Sequence, residues 1–124
     1  MNKARKIAIA GATGMVGQSF LKLLEKDYFQ DSEISLLASS NSAGKEINFR
    51  GQNYKVEDLS KFNFSEFDLA LFSAGSSVAS TFAPIAVSQG CVVVDNSSCF
   101  RYEDDIPLIV PEVNSKVLND YKLP

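Results

Sequence analysis

Apolar positions in this chain fall into short continuous runs, separated by polar or glycine-containing breaks. Lys6–Ala10 (KIAIA), Glu33–Ala38 (EISLLA), Leu69–Ser73 (LALFS) and Cys91–Asp95 (CVVVD) are such runs. They do not alternate apolar with polar, so they read as strands buried on both faces of a parallel sheet. Met15–Lys26 carries Val16, Phe20, Leu23 and Leu24 at helical spacing. Val78–Ser88 reads as a second helix, with Pro84 marking a kink or a late first turn and Gly90 a C-terminal cap. Ser39–Gly44 is a loop, and Ile47–Val56 a polar hairpin turning at Gly51-Gln52-Asn53. Leu108–Val110 predicts one more short strand, and Asn114 caps a last helix with Val117, Leu118 and Tyr121 on one side. Strands that alternate with helices predict an α/β fold: an open, doubly wound, mostly parallel sheet of the Rossmann type. No repeat, low-complexity tract or linker interrupts it.

The length of 124 residues suits one domain. A formal charge of −3, with no Lys/Arg run, argues against a nucleic-acid surface. Gly11, Thr13 and Gly14 interrupt the first apolar stretch too early for a signal peptide, and no run reaches membrane-spanning length. A cytoplasmic protein with no membrane partner is expected. The chain contains no histidine, so it cannot build a Ser–His or Cys–His pair by itself. Its two cysteines, Cys91 and Cys99, make no metal site. The chain stops on Leu123-Pro124 without a polar tail, and an amino-terminal fragment of a longer protein is the expectation.

The stretch IAIAGATGMVGQSF, Ile7 to Phe20, places Gly11, Gly14 and Gly17 between a strand and a helix. Amides at a helix start lack partners and carry the positive end of the helix dipole, which suits a phosphate. The three glycines fit three tasks: a tight turn, close approach of a pyrophosphate, and packing of helix against strand. Thr13 adds a hydroxyl. The spacing G-x-x-G-x-x-G departs from the usual dinucleotide fingerprint, and its strand–turn–helix setting carries the reading. After the second strand, Ser39, Ser40, Asn41 and Ser42 hold no carboxylate, and Lys45 follows. Hydroxyls, an amide and a cation favour the 2′-phosphate of NADP over NAD. Asn96, Ser97 and Ser98 leave another strand at its carboxyl end, and Arg101 offers a fork for phosphate or carboxylate, or a surface pair with Glu103 or Asp104.

GATGMVG, LASSNSAGK, FSAGSS, DNSSCFR and IPLIVPEVN, in this order from about Lys6 to Asn114, resemble the amino-terminal part of the bacterial aspartate-semialdehyde dehydrogenases. That resemblance implies NADPH-dependent reduction of aspartyl phosphate to aspartate semialdehyde with release of phosphate, on the route to lysine, threonine, methionine and diaminopimelate. It implies that Thr13, Gly14, Met15 and Val16 cradle the pyrophosphate and that Ser39, Asn41 and Ser42 take the 2′-phosphate. Ser73, Ala74 and Gly75 would line the cofactor, and Asn96 and Arg101 would hold the substrate phosphate. Many members carry an arginine where this chain has Asn41, which leaves NAD use open, with Lys45 as a substitute cation.

The resemblance also puts the nucleophilic cysteine, in an Asn-Cys-Ser-Thr motif, and the histidine base beyond Pro124. No catalytic residue is then expected within residues 1–124, an NADP-binding domain without its catalytic and dimerisation domain, inactive alone, from a homo-oligomeric enzyme. Cys99, near Arg101, is not at the place of the nucleophile, and Cys91 reads as core. The alternatives are the cofactor domain of an N-acetyl-glutamyl-phosphate reductase and a non-catalytic NADP(H)-binding module.

Overall fold

A computed structural model describes residues 5–25, 31–101, 103, 106, 108–109, 111–114 and 116. Five parallel strands form the main sheet: β1 (Lys6–Ala10), β2 (Glu33–Ala38), β5 (Glu57–Asp58), β6 (Leu69–Phe72) and β7 (Val92–Asp95). Their spatial order is β5-β2-β1-β6-β7. The chain builds outward from β1 through β2 to β5, then returns to the other side of β1 with β6 and β7. A topological switch point therefore lies between β1 and β6, where crevices form at the carboxyl ends of such strands. β3 (Glu46–Phe49) and β4 (Gln52–Lys55) make a separate antiparallel hairpin. The α-helices among the described residues are α1 (Met15–Leu24), α2 (Ser76–Ser88) and the short α3 (Pro111–Asn114).

Burial of β1 on both faces divides the core in two. Ile7 and Ile9 face a cluster with Leu21 and Leu24 of α1, and with Phe49 and Val56 from the hairpin and its exit. Ala8 and Ala10 face the other side, with Ala70, Phe72, and Ala83 and Ala86 of α2. Alanine on both partners lets α2 lie close to the strands. Phe49, Phe64 and Phe72 are fully buried, each contributing up to about 3 kcal/mol. Cys91 is part of this core, as expected, and burial pushes its thiol up to about 11, with the charge of Asp68 adding to the shift.

Five local expectations change. In α1, Gly17, Leu21 and Leu24 face the sheet, while Val16 and Leu23 stand 40% and 54% exposed. The apolar face is rotated because Gly17, with no side chain, lies nearest the sheet; Lys26 lies outside the described residues. The hairpin turns at Arg50-Gly51, one residue earlier than expected, with φ of 56° and 73°, as a two-residue turn between right-twisted strands requires. Arg50 accepts this backbone because its guanidinium donates to the Ser32 carbonyl at 2.7 Å and the Leu24 carbonyl at 3.1 Å. It thereby caps the C-terminus of α1 while lying over the Phe49 ring. In α2 the helix begins at Ser76, so Pro84 sits inside it rather than in a first turn. Leu108 and Ile109 form no strand, and Val110 is not among the described residues. Asn114 ends α3 instead of opening a helix, and its amide donates to the Leu108 carbonyl at 2.7 Å. Val117, Leu118 and Tyr121 lie outside the described residues.

Candidate nucleotide-binding site

Four turns leave the carboxyl ends of four neighbouring strands, and every site residue read from the sequence lies on one of them or, for Met15 and Val16, at the start of the helix that follows. The first joins β1 to α1. Gly11 and Ala12 donate to the Leu37 carbonyl at 2.9 and 3.2 Å, tying the turn to β2, and Gly14 donates back to Gly11 at 3.1 Å. The first helical bond runs from Gln18 to the Gly14 carbonyl at 3.0 Å, and no side chain caps the helix. The amides of Met15, Val16 and Gly17 therefore have no intrahelical acceptor. No acidic residue occupies the first turn to compete for them. Thr13 and Gly14 are exposed, and so is Met15.

The three glycines separate cleanly. Gly11 has φ of 89°, and a Cβ there would lie 2.8 Å from the Ser73 carbonyl group. A Cβ on Gly17 would lie 2.2 Å from the Gly11 oxygen. The fold itself requires both. Gly14 has an extended backbone, φ −84° and ψ 172°, and its Cβ would meet only the Gly11 oxygen at an ordinary 3.5 Å. Nothing among the described residues demands a glycine there. A bare backbone facing open space beside free amides fits close approach of a phosphate.

The second turn follows β2. Ser42 and Ala43 donate to the Ser39 carbonyl at 2.9 and 3.0 Å, and Gly44, at φ 93°, donates to Val56 at 2.8 Å. Ser39 and Asn41 are exposed, Ser42 half-buried, and Lys45 exposed at the loop's end. Sequence reasoning found no carboxylate on this loop, and there is none. It missed the one brought beside it by β5. Asp58 is paired in register with Ala38 and accepts from the Ser40 hydroxyl at 2.9 Å. The Ser60 hydroxyl and then Ser40 hold its carboxyl below the ordinary carboxylate value. The only signal in the sequence was Asp58-Leu59-Ser60, an acidic cap on the short 3-10 turn Leu59–Lys61.

The third turn, Ser73-Ala74-Gly75, joins β6 to α2 and abuts the first turn across the switch point. Ser73 donates from its amide to the Ala10 carbonyl at 2.9 Å, and Gly75, φ 88°, opens α2 with no side-chain cap. The fourth turn follows β7. Asp95 accepts from the Ser97 amide and hydroxyl at 2.9 and 2.6 Å, so its carboxylate folds back on its own turn. Asn96 and Arg101 are exposed, and Arg101 forms no ion pair among the described residues. The Ser76 and Ser98 hydroxyls, 3.1 Å apart, link this turn to the start of α2. Among the described residues no group of three or more His, Cys, Asp or Glu could hold a metal ion, and no helix is long and apolar enough to cross a membrane.

A family model described as the semialdehyde dehydrogenase, NAD binding domain, matches residues 6–121. The chain belongs to this family. The match includes all four turns. Aspartate-semialdehyde dehydrogenase of Legionella pneumophila is 54% identical over 98% of this chain and 35% of its own length. A crystal structure of Vibrio cholerae aspartate semialdehyde dehydrogenase II complexed with ASA is 44% identical, with a TM-score of 0.89 over 96% of this chain and 39% of that one. The Candida albicans enzyme with NADP is 34% identical, with a TM-score of 0.80 over 94% of this chain and 36% of that one. This NAD-binding domain thus spans about a third of the length of the proteins it resembles.

Proposed function

We propose that this domain is the nucleotide-binding part of an NADP-dependent aspartate-semialdehyde dehydrogenase, a cytoplasmic oxidoreductase that interconverts aspartyl phosphate and aspartate semialdehyde plus phosphate. The observation that carries the reading is the 54% identity to the Legionella pneumophila enzyme, sustained over 98% of the chain. The bare Gly14 and the free amides of Met15 and Val16 would take the pyrophosphate, with Gly11 shaping the turn and Thr13 adding its hydroxyl. Ser39, Asn41 and Ser42, with Lys45 behind them, would hold the 2′-phosphate. Ser73, Ala74 and Gly75 would line the crevice towards the nicotinamide. Asn96 and Arg101 would hold the phosphate of the acyl substrate, where a guanidinium without an ion pair among the described residues suits a dianion.

When bound, the nucleotide supplies or accepts the hydride. The residues of this domain bind, orient and screen charge; they carry no nucleophile. A cysteine and a histidine outside these 124 residues would do the covalent and proton-transfer work, in a homo-oligomer. The test is phosphate-dependent formation of NADPH by the full-length enzyme with aspartate semialdehyde. Activity that is lost without phosphate, and that falls at least about a hundredfold in Arg101→Ala, is the expected result. Turnover of N-acetylglutamate semialdehyde in its place would overturn the substrate assignment.

A further inference from the structure

β5 brings a fixed charge to the ribose loop from the neighbouring strand. The parallel register sets Asp58 opposite Ala38, the last residue of β2. One carboxylate oxygen accepts from the Ser40 hydroxyl at 2.9 Å; the other accepts from the Ser60 amide at 2.9 Å and the Ser60 hydroxyl at 2.7 Å. Both oxygens are thus held, one on the loop and one on the 3-10 turn. No ion pair among the described residues neutralises Asp58. Lys55, Glu57 and Lys61 line with it a cleft of about 530 Å³, a set of mixed sign with no net excess of cations. The single hydroxyl proton of Ser40 is engaged by Asp58, so Ser40 cannot also donate to a phosphate.

We infer that Asp58 is a specificity-determining residue, whose fixed negative charge beside the Ser39–Ser42 loop opposes a 2′-phosphate and keeps the domain open to the unphosphorylated nucleotide. The inference rests on the reading that this loop receives the adenosine ribose. In many NAD-binding domains a carboxylate at the end of the second strand accepts directly from the ribose hydroxyls. Here the carboxylate stands one strand further out and is already occupied by two serines. What remains is its through-space effect. Asp58 touches Ser40 at 2.9 Å, and Ser40 lies in the chain between Ser39 and Asn41, so a phosphate held by Ser39, Asn41 and Ser42 would lie on the order of a Debye length, about 8 Å, from Asp58. A dianion at that range feels a repulsion of about three- to tenfold in affinity, and a neutral ribose hydroxyl feels almost none.

The experiment is calorimetric titration of the full chain with NADPH and with NADH, for the wild type, Asp58→Asn and Asp58→Glu. Asparagine removes the charge and keeps an oxygen for Ser60; glutamate keeps the charge. Asp58→Asn is expected to tighten NADPH about three- to tenfold and to leave NADH within about twofold, while Asp58→Glu leaves the ratio of the two unchanged. Asp58→Thr, neutral and able to cap the 3-10 turn, is the second variant should asparagine fail to fold, and it must move the ratio the same way. An unchanged ratio in the neutral variants, or equal loss of both nucleotides, overturns the role of Asp58 while the ribose-loop reading stands. Failure of the wild type to bind either nucleotide overturns the ribose-loop reading, and this inference with it.

Discussion

Replacing Gly17 by alanine adds one methyl group at the tightest point of the nucleotide turn. That methyl would lie 2.2 Å from the Gly11 oxygen, 2.9 Å from Ala12 Cα and 3.0 Å from the Gly11 carbonyl carbon. All three neighbours are backbone atoms, held by the bonds of Gly11 and Ala12 to Leu37, so none can swing aside as a side chain would. Overpacking of this kind costs about 3 kcal/mol. Alanine returns about 1 kcal/mol through helix propensity, which leaves a net loss of about 2 kcal/mol. For a domain of this size that corresponds to a fall in Tm of roughly 8 °C. Gly14→Ser, three residues earlier, is the matched control. Its backbone is extended and its Cβ unobstructed, and serine is a good N-cap, so stability should stay within about 0.5 kcal/mol of wild type. Urea denaturation of the two variants measures the split. A Gly17→Ala protein as stable as wild type would refute the packing argument. So would a Gly14→Ser protein that loses as much as Gly17→Ala, because the three glycines would then not divide into two for the fold and one for the ligand.

Arg50→Ala removes two charge-assisted bonds to the Ser32 and Leu24 carbonyls and leaves the end of α1 uncapped; a loss of about 2 kcal/mol in urea denaturation is expected, and an unaffected midpoint would dismiss the cap. Cys91 is fully buried and Cys99 only partly so. Native protein should therefore label at Cys99 with a thiol reagent, while Cys91 labels only on unfolding, as peptide mass mapping would report. The Cys91 thiol is raised from 9.0 to about 11 in the folded chain, so the fold holds this proton more tightly than the unfolded chain does. Its contribution is complete below about pH 9 and is lost as pH rises towards 11; Cys91→Ala should flatten that alkaline decline in a pH series of denaturation midpoints.

The parts of this domain that were legible in the sequence are those with local causes. KIAIA announces a parallel strand buried on both faces; LALFS and CVVVD announce parallel strands too, but β7, last in the sheet order, is not buried on both faces and leaves Val94 half-exposed. Gly11, Gly14 and Gly17 announce a turn because only glycine satisfies a positive φ, a bare backbone and a close helix contact within seven residues. The exceptions have distant causes. The hairpin turn shifted to Arg50 because a side chain there reaches the end of α1, 26 residues away in sequence. The sheet-facing side of α1 was misread because Gly17, the residue nearest the sheet, has no hydropathy to register. β5 escaped notice because two acidic residues, Glu57 and Asp58, make no apolar run. With it went the contact between Asp58 and Ser40, which only strand register creates.

The central claim is that the turn around Gly14 receives the phosphates of a nicotinamide nucleotide, and calorimetric titration of wild type and Gly14→Val with NADPH and NADH tests it most directly. The account predicts that the wild type binds NADPH more tightly than NADH, and that Gly14→Val, whose side chain enters the space beside the Met15 and Val16 amides, retains its fold but loses both by at least about a hundredfold. Undiminished nucleotide binding in a folded Gly14→Val protein would contradict it.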